Sequence, residues 1–268
     1  MSNRVAILVL SNATPPYDTT IEAVRRTWGA RSARGVDIYY VYGNPPDAKA
    51  RAVLSRYIGG DPPVVAEDEI CQIGDVLIAG CADRMEEQRD CLLRKRLIAF
   101  AHLAAADKYD LIHSVCAPSY VDQSELLRFT DTLTPTRVMA GGIGINRSRT
   151  APFVSGASTI ISVDLARRLG SERKEIIDGN DFGHLDDVRI GQWIATRVSP
   201  VPLATFLEDI EGRRPLTPDH IFLRYPQGTV SYVMAPPENQ HPVANAFHYH
   251  FHSRRAADMM RFHERYFT

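Results

Sequence analysis

The feature that most constrains this 268-residue chain is its first apolar run, Val5–Leu10 (VAILVL). Six consecutive aliphatic residues leave no polar side for water. Such a run reads as a strand buried on both faces, as in a parallel sheet. The loop at 11–16 (SNATPP) ends it, a helical pattern over 20–29 follows, and a second strand is expected at 36–42. Strand, helix and strand in that order begin a βαβ unit. In open sheets of this kind, ligands bind outside the carboxyl ends of the strands, where the strand order reverses. The loops after Leu10, Tyr42 and Val115 are therefore the expected site of chemistry.

The pattern continues. Helices are expected over 47–57, 86–106, 124–132 (capped by Ser124), 164–169, 187–196 and 256–266. Strands are expected at 64–66, 109–115, 158–163, 201–206 and 247–252. The glycine-rich run Gly141–Gly144 lacks the spacing of a dinucleotide fingerprint and reads as a tight turn. With no repeat or linker, the expectation is one α/β domain over 1–268, its central sheet mixed and flanked by helices. It would divide into halves 1–122 and 123–268, the second with the closing segment.

Composition narrows the partners. There are 31 Lys and Arg against 32 Asp and Glu, a net charge of -1. That removes any global attraction to nucleic acid, although Arg25, Arg26, Arg31 and Arg34 lie close together. The four cysteines contain no C-x-x-C pair, so reduced thiols are expected, not a zinc or redox site. No secretory leader pattern and no membrane-spanning run is visible, which makes a cytoplasmic protein the expectation.

Three segments resemble the β-1,3-galactosyltransferase and Fringe family. Ala23–Gly29 (AVRRTWG) is similar to the family's A-I-R-x-T-W-G, with Ile21 where the family carries a further arginine. Phe153–Leu165 (FVSGASTIISVDL) resembles its Y-x-S-G-x-x-Y-x-x-S-x-D, and Leu185–Gly191 (LDDVRIG) its E-D-V-x-x-G. The resemblance implies a GT-A fold and an inverting transfer from a UDP-sugar to a glycan hydroxyl. It makes Asp187 the general base and Asp186 its neighbour in the site. Ser155 and Gly156 fall on the acceptor side, and Arg25, Lys95 and Ser119 on the donor side. Ser11 and Asn12, after the first strand, are expected against the nucleotide.

One landmark differs. The family's aspartate-rich motif, which holds Mn²⁺, falls on Cys116-Ala117-Pro118. Those residues cannot make an oxygen site for a hard cation. The diphosphate must then be met by cationic residues or by a metal held elsewhere. His248, His250 and His252 share one face of a strand and, with Arg254, are candidates for diphosphate or metal; Arg25, the run Arg94–Arg96 and Arg255 are further candidates for the leaving-group charge. Nucleic-acid or protein acceptors, and a non-catalytic nucleotide-sugar-binding protein, are the alternative readings.

Overall fold

A computed structural model describes residues 2–84, 86–145, 152–179, 186–198, 222–224, 230–233, 246–251 and 255–267. Through most of the chain, strands and helices alternate: β1 (Val5–Leu10), α1 (Tyr17–Arg26), β2 (Val36–Asn44), α2 (Ala48–Ile58), β3 (Ile70–Ile73) and β4 (Val76–Ala82). Then come α3 (Cys91–Ala105), β5 (Leu111–Cys116), β6 (Ser119–Val121), α4 (Gln123–Thr130), β7 (Met139–Ile145) and β8 (Pro152–Ser162). The rest is α5 (Val163–Ser171), α6 (Arg173–Asp178), α7 (Asp186–Trp193) with a π-helical turn (Ile194–Val198), β9 (Phe222–Arg224), β10 (Val230–Val233), β11 (His248–Phe251) and α8 (Ala256–Tyr266).

Among the described residues the main sheet has eight strands in the order β3-β4-β2-β1-β5-β8-β7-β9. Strands β4, β2, β1 and β5 run parallel, while β8 runs antiparallel between β5 and β7. This is the mixed α/β sheet expected. β1 lies at its centre, with Val5, Ile7 and Val9 packing into one core and Ala6, Leu8 and Leu10 into the other. That double burial is why its sequence shows no alternation. The chain winds outward from β1 through β2 to β4, then crosses to β5 on the other side. The order therefore reverses between β1 and β5, and a crevice opens at their carboxyl ends. A small sheet, β10-β11-β6, lies beside it.

Several expectations are corrected. Residues 64–66 form no strand; the edge is the antiparallel β3–β4 hairpin instead. The glycine run is not a turn but part of β7. A Cβ on Gly141 would lie 2.2 Å from Val154 Cγ1 and 2.9 Å from Ser158 O, so glycine lets β7 approach β8. Helix α4 is capped by Asp122, whose side chain accepts from Ser124 and Glu125 N–H, and not by Ser124. The strand expected at 201–206 lies outside the described residues.

Candidate functional site

A cleft of about 340 Å³ occupies the β1/β5 crevice, a size typical of small-molecule sites. Leu10, Ser11 and Asn12 line it from the end of β1, and Cys116, Ala117 and Pro118 from the end of β5. Ser155, Gly156 and Ala157 of β8, Arg96 of α3, and Asp186 and Asp187 at the start of α7 close the far side, with His250 of β11. The cleft thus joins residues far apart in the chain, and the sheet's topology brings them together.

The near wall is a splint. Asp83, after β4, is 1% exposed. It accepts from Ala13 N–H (3.0 Å), Gly43 N–H (2.7 Å) and Lys95 Nζ (2.8 Å). Lys95 Nζ also donates to Ser11 O at 2.8 Å. Burial opposes the Lys95 charge, but Asp83 outweighs it and the amine stays above its usual range. Asn12 Nδ2 donates to Asp83 O at 2.7 Å, and Asn12 Oδ1 accepts from Thr14. These bonds fix the loops after β1, β2 and β4 relative to one another. Sequence reasoning missed Asp83; its position just past a buried strand is the signal that marks it.

The far wall is built around Gly156. Arg96 Nη1 pairs with Asp186 Oδ2 at 2.7 Å, and Arg96 Nη2 donates to Gly156 O at 3.1 Å. Gly156 N–H donates to Asp187 Oδ2 at 3.2 Å, and Val188 N–H to Asp187 Oδ1 at 2.9 Å. A Cβ on Gly156 would lie 3.0 Å from Arg96 Nη2, so glycine makes room for the guanidinium. Burial raises the Asp187 carboxyl above its ordinary range, and Asp186 adds to the shift. The Gly156 N–H and Arg96 pull the other way but do not cancel it. A carboxylate so placed is well suited to take a proton.

Other expected site residues fall elsewhere. Arg25 does not line the cleft: it pairs with Asp75 at 2.7 Å and stacks over Tyr40 and Tyr57. Two flanking aromatic rings and a bidentate carboxylate make it a packing element. Lys95 lies beneath the cleft, fully buried, and it is the next residue, Arg96, that reaches it. Ser119 is buried in β6, where its carbonyl accepts from Trp28 Nε1 at 2.8 Å. Of the basic cluster, Arg26 pairs weakly with Glu22 (3.8 Å), which leaves Arg31 and Arg34 exposed.

The histidines divide. His250 borders the cleft, but His248 is fully buried against His113 and His250, with ring centroids 5.9 and 6.3 Å apart. Burial holds His248 well below the usual imidazole range and His113 down at about 3. His248 is therefore neutral and cannot carry cationic charge to a diphosphate. His252 and Arg254 lie outside the described residues. Among the described residues, no three His, Cys, Asp or Glu side chains come together to hold a metal. Mn²⁺, which the resemblance implies, therefore does not fit the residues described at this site. None of the four cysteines is in a disulfide, and burial pushes the Cys81 thiol up to about 12. No described helix is long and apolar enough to cross a membrane.

No protein-family model matches the sequence, and no curated protein matches it by sequence. Solved structures do resemble the fold. One is a glycosyltransferase involved in glycosylation of the major capsid of PBCV-1, at 13% identity and a TM-score of 0.49, covering 97% of this chain and 98% of that one. Another is a mannosyltransferase from Pyrobaculum calidifontis in complex with GDP-Man and Mn²⁺. It has 14% identity and a TM-score of 0.41, over 85% of this chain and 58% of that one. A third is a cytidylyltransferase from Leptospira borgpetersenii, at 11% identity and a TM-score of 0.41, over 84% and 76%. The likeness to the β-1,3-galactosyltransferase and Fringe family rests on the sequence motifs alone. What the cleft does must be read from its own residues.

Proposed function

We propose that the crevice binds a UDP-sugar and that the protein transfers the sugar, with inversion, to a hydroxyl of a glycan acceptor. The observation that carries this reading is Asp187. It is a carboxylate at a crevice of nucleotide-site topology, fixed by two backbone N–H groups and raised in pKa by burial. In the proposed reaction the acceptor oxygen attacks the anomeric carbon while the bond from that carbon to the diphosphate oxygen breaks. The bonding pair leaves with the diphosphate, and the acceptor's proton passes to Asp187. Asp186, paired with Arg96, positions that base.

The division of labour follows the walls. Ser11 and Asn12, in the 1–122 half, lie against the nucleotide. Ser155, Gly156 and the two aspartates, in the 123–268 half, face the acceptor.

The test is a panel of nucleotide sugars, with release of free nucleotide as the readout and simple sugars or water as acceptor. UDP-sugars should be turned over, and Asp187→Asn should slow release about 10²–10⁴-fold while nucleotide still binds. Wild-type turnover should fall with acidity through a midpoint above the ordinary aspartate value of about 3.9. Turnover by the Asn variant at the wild-type rate would remove Asp187 from its role. No release from any nucleotide sugar would overturn the transfer reading.

A further inference from the structure

A departing nucleoside diphosphate needs positive charge or strong donors around it. At the end of β5, where a carboxylate cluster would hold a cation, the wall is Cys116, Ala117 and Pro118. A thiol, a methyl and a pyrrolidine ring offer no hard oxygen ligands. Asp83 is saturated by Lys95 and two backbone N–H groups, and Asp186 is paired with Arg96. Of the three carboxylates that line the cleft among the described residues, Asp83 and Asp186 are therefore already paired with cations, and Asp187 is the base of the proposed reaction.

We infer that this crevice takes its nucleoside diphosphate without a divalent metal and that Arg96 meets the charge of the departing group. The inference rests on the proposed sugar transfer. Among the described residues that line the cleft, Arg96 is the only lysine or arginine. Its side chain is 3% exposed and is held at two points, by Asp186 and by Gly156 O. A guanidinium has five N–H donors, so three remain after those two bonds. One of them, Nε–H, is buried and, among the described residues, has no hydrogen-bond partner. Arg25, Arg173 and Arg189 carry the same unmet Nε–H, so what sets Arg96 apart is its place in the lining of the cleft. A phosphate supplies oxygens in the planar geometry that a guanidinium matches.

The same pairing keeps Arg96 in place before the nucleotide arrives. Asp186 neutralises the buried guanidinium in the empty crevice, and Gly156 leaves the space it fills. As the anomeric bond breaks and the electron pair moves onto the diphosphate oxygen, the added negative charge faces this preorganised cation. The proton from the acceptor goes to Asp187 on the same wall. Arg96 thus links the leaving-group side of the reaction to the base side through Asp186 and Gly156.

The experiment is calorimetric titration of UDP into the protein in EDTA and again in Mn²⁺. The expected dissociation constants agree within about twofold. Arg96→Gln should weaken binding at least about 10-fold in both buffers, because hydrogen bonds to charged groups are lost. Arg96→Lys keeps the charge without the fork and should also bind more weakly, which settles the point if the glutamine variant does not fold. Binding that requires Mn²⁺ would overturn this inference and leave the sugar-transfer reading standing. Unchanged affinity in both variants would remove Arg96 from the role. Absence of UDP binding in both buffers would instead overturn the UDP-sugar reading beneath it.

Discussion

On one wall of the crevice Asp83 accepts from Ala13, Gly43 and Lys95, and Lys95 divides its donors between Asp83 and Ser11. On the other, Arg96 keeps an unmet Nε–H and Asp187 holds a carboxyl that burial pushes up in pKa. The two cations are consecutive residues of one helix, both buried. What separates them is place: Lys95 lies beneath the cleft, and Arg96, paired with Asp186, lines it. The near wall therefore reads as scaffold and the far wall as chemistry.

The comparison can be broken by substitution, beginning with the largest effect. Lys95→Met strands the Asp83 carboxylate in the interior. Removing one partner of such a pair costs about 3–5 kcal/mol, and denaturant unfolding should show a loss of that size. A loss under about 1 kcal/mol, the scale of a surface pair, would deny Asp83 and Lys95 their role as a splint.

Gly156→Ala acts on the far wall. The new methyl crowds a guanidinium that Asp186 and a carbonyl hold in place, so stability should fall by about 1–3 kcal/mol. UDP affinity should fall with it, because Arg96 is displaced. An alanine variant with full affinity would show that Arg96 need not sit where it does.

The smallest effect sharpens the contrast by its sign. The Asp187 pKa is higher in the folded than in the unfolded chain. Its contribution to stability is then present below the unfolded value of about 3.9 and is lost as pH rises through the folded value. At pH 7 the ionised carboxylate is a burden, so Asp187→Asn should melt no lower than wild type there, and the difference should shrink towards pH 4. A clear drop in melting temperature at pH 7 would make Asp187 a structural residue like Asp83.

The sequence makes legible what depends on near neighbours. The double burial of β1 and the placing of β2, β5 and α8 follow from local apolar patterns. Ser11 and Asn12, placed by the end of β1, and Ser155, Gly156, Asp186 and Asp187, placed by the motif resemblance, all line the cleft. The pair Lys95 and Arg96 was not legible in this way. The resemblance puts Lys95 on the donor side, but nothing local says which member of the basic run Arg94–Arg96 faces the cleft, since the partners Asp83, Ser11, Gly156 and Asp186 meet Lys95 and Arg96 only through the fold. The β7 glycines misled for a related reason, since the close approach of β8 that requires them leaves no local trace. Arg25 shows the converse: a motif match located it, but Asp75 and two tyrosine rings decide what it does.

The most direct test of the central claim is amide hydrogen exchange with and without saturating UDP. The account predicts slowed exchange at 10–12, 116–118, 155–157 and the first turn of α7, with α1 around Arg25 and the β3–β4 hairpin unchanged. Protection confined to the Arg25 face, or none in the crevice segments when UDP is bound, would contradict it.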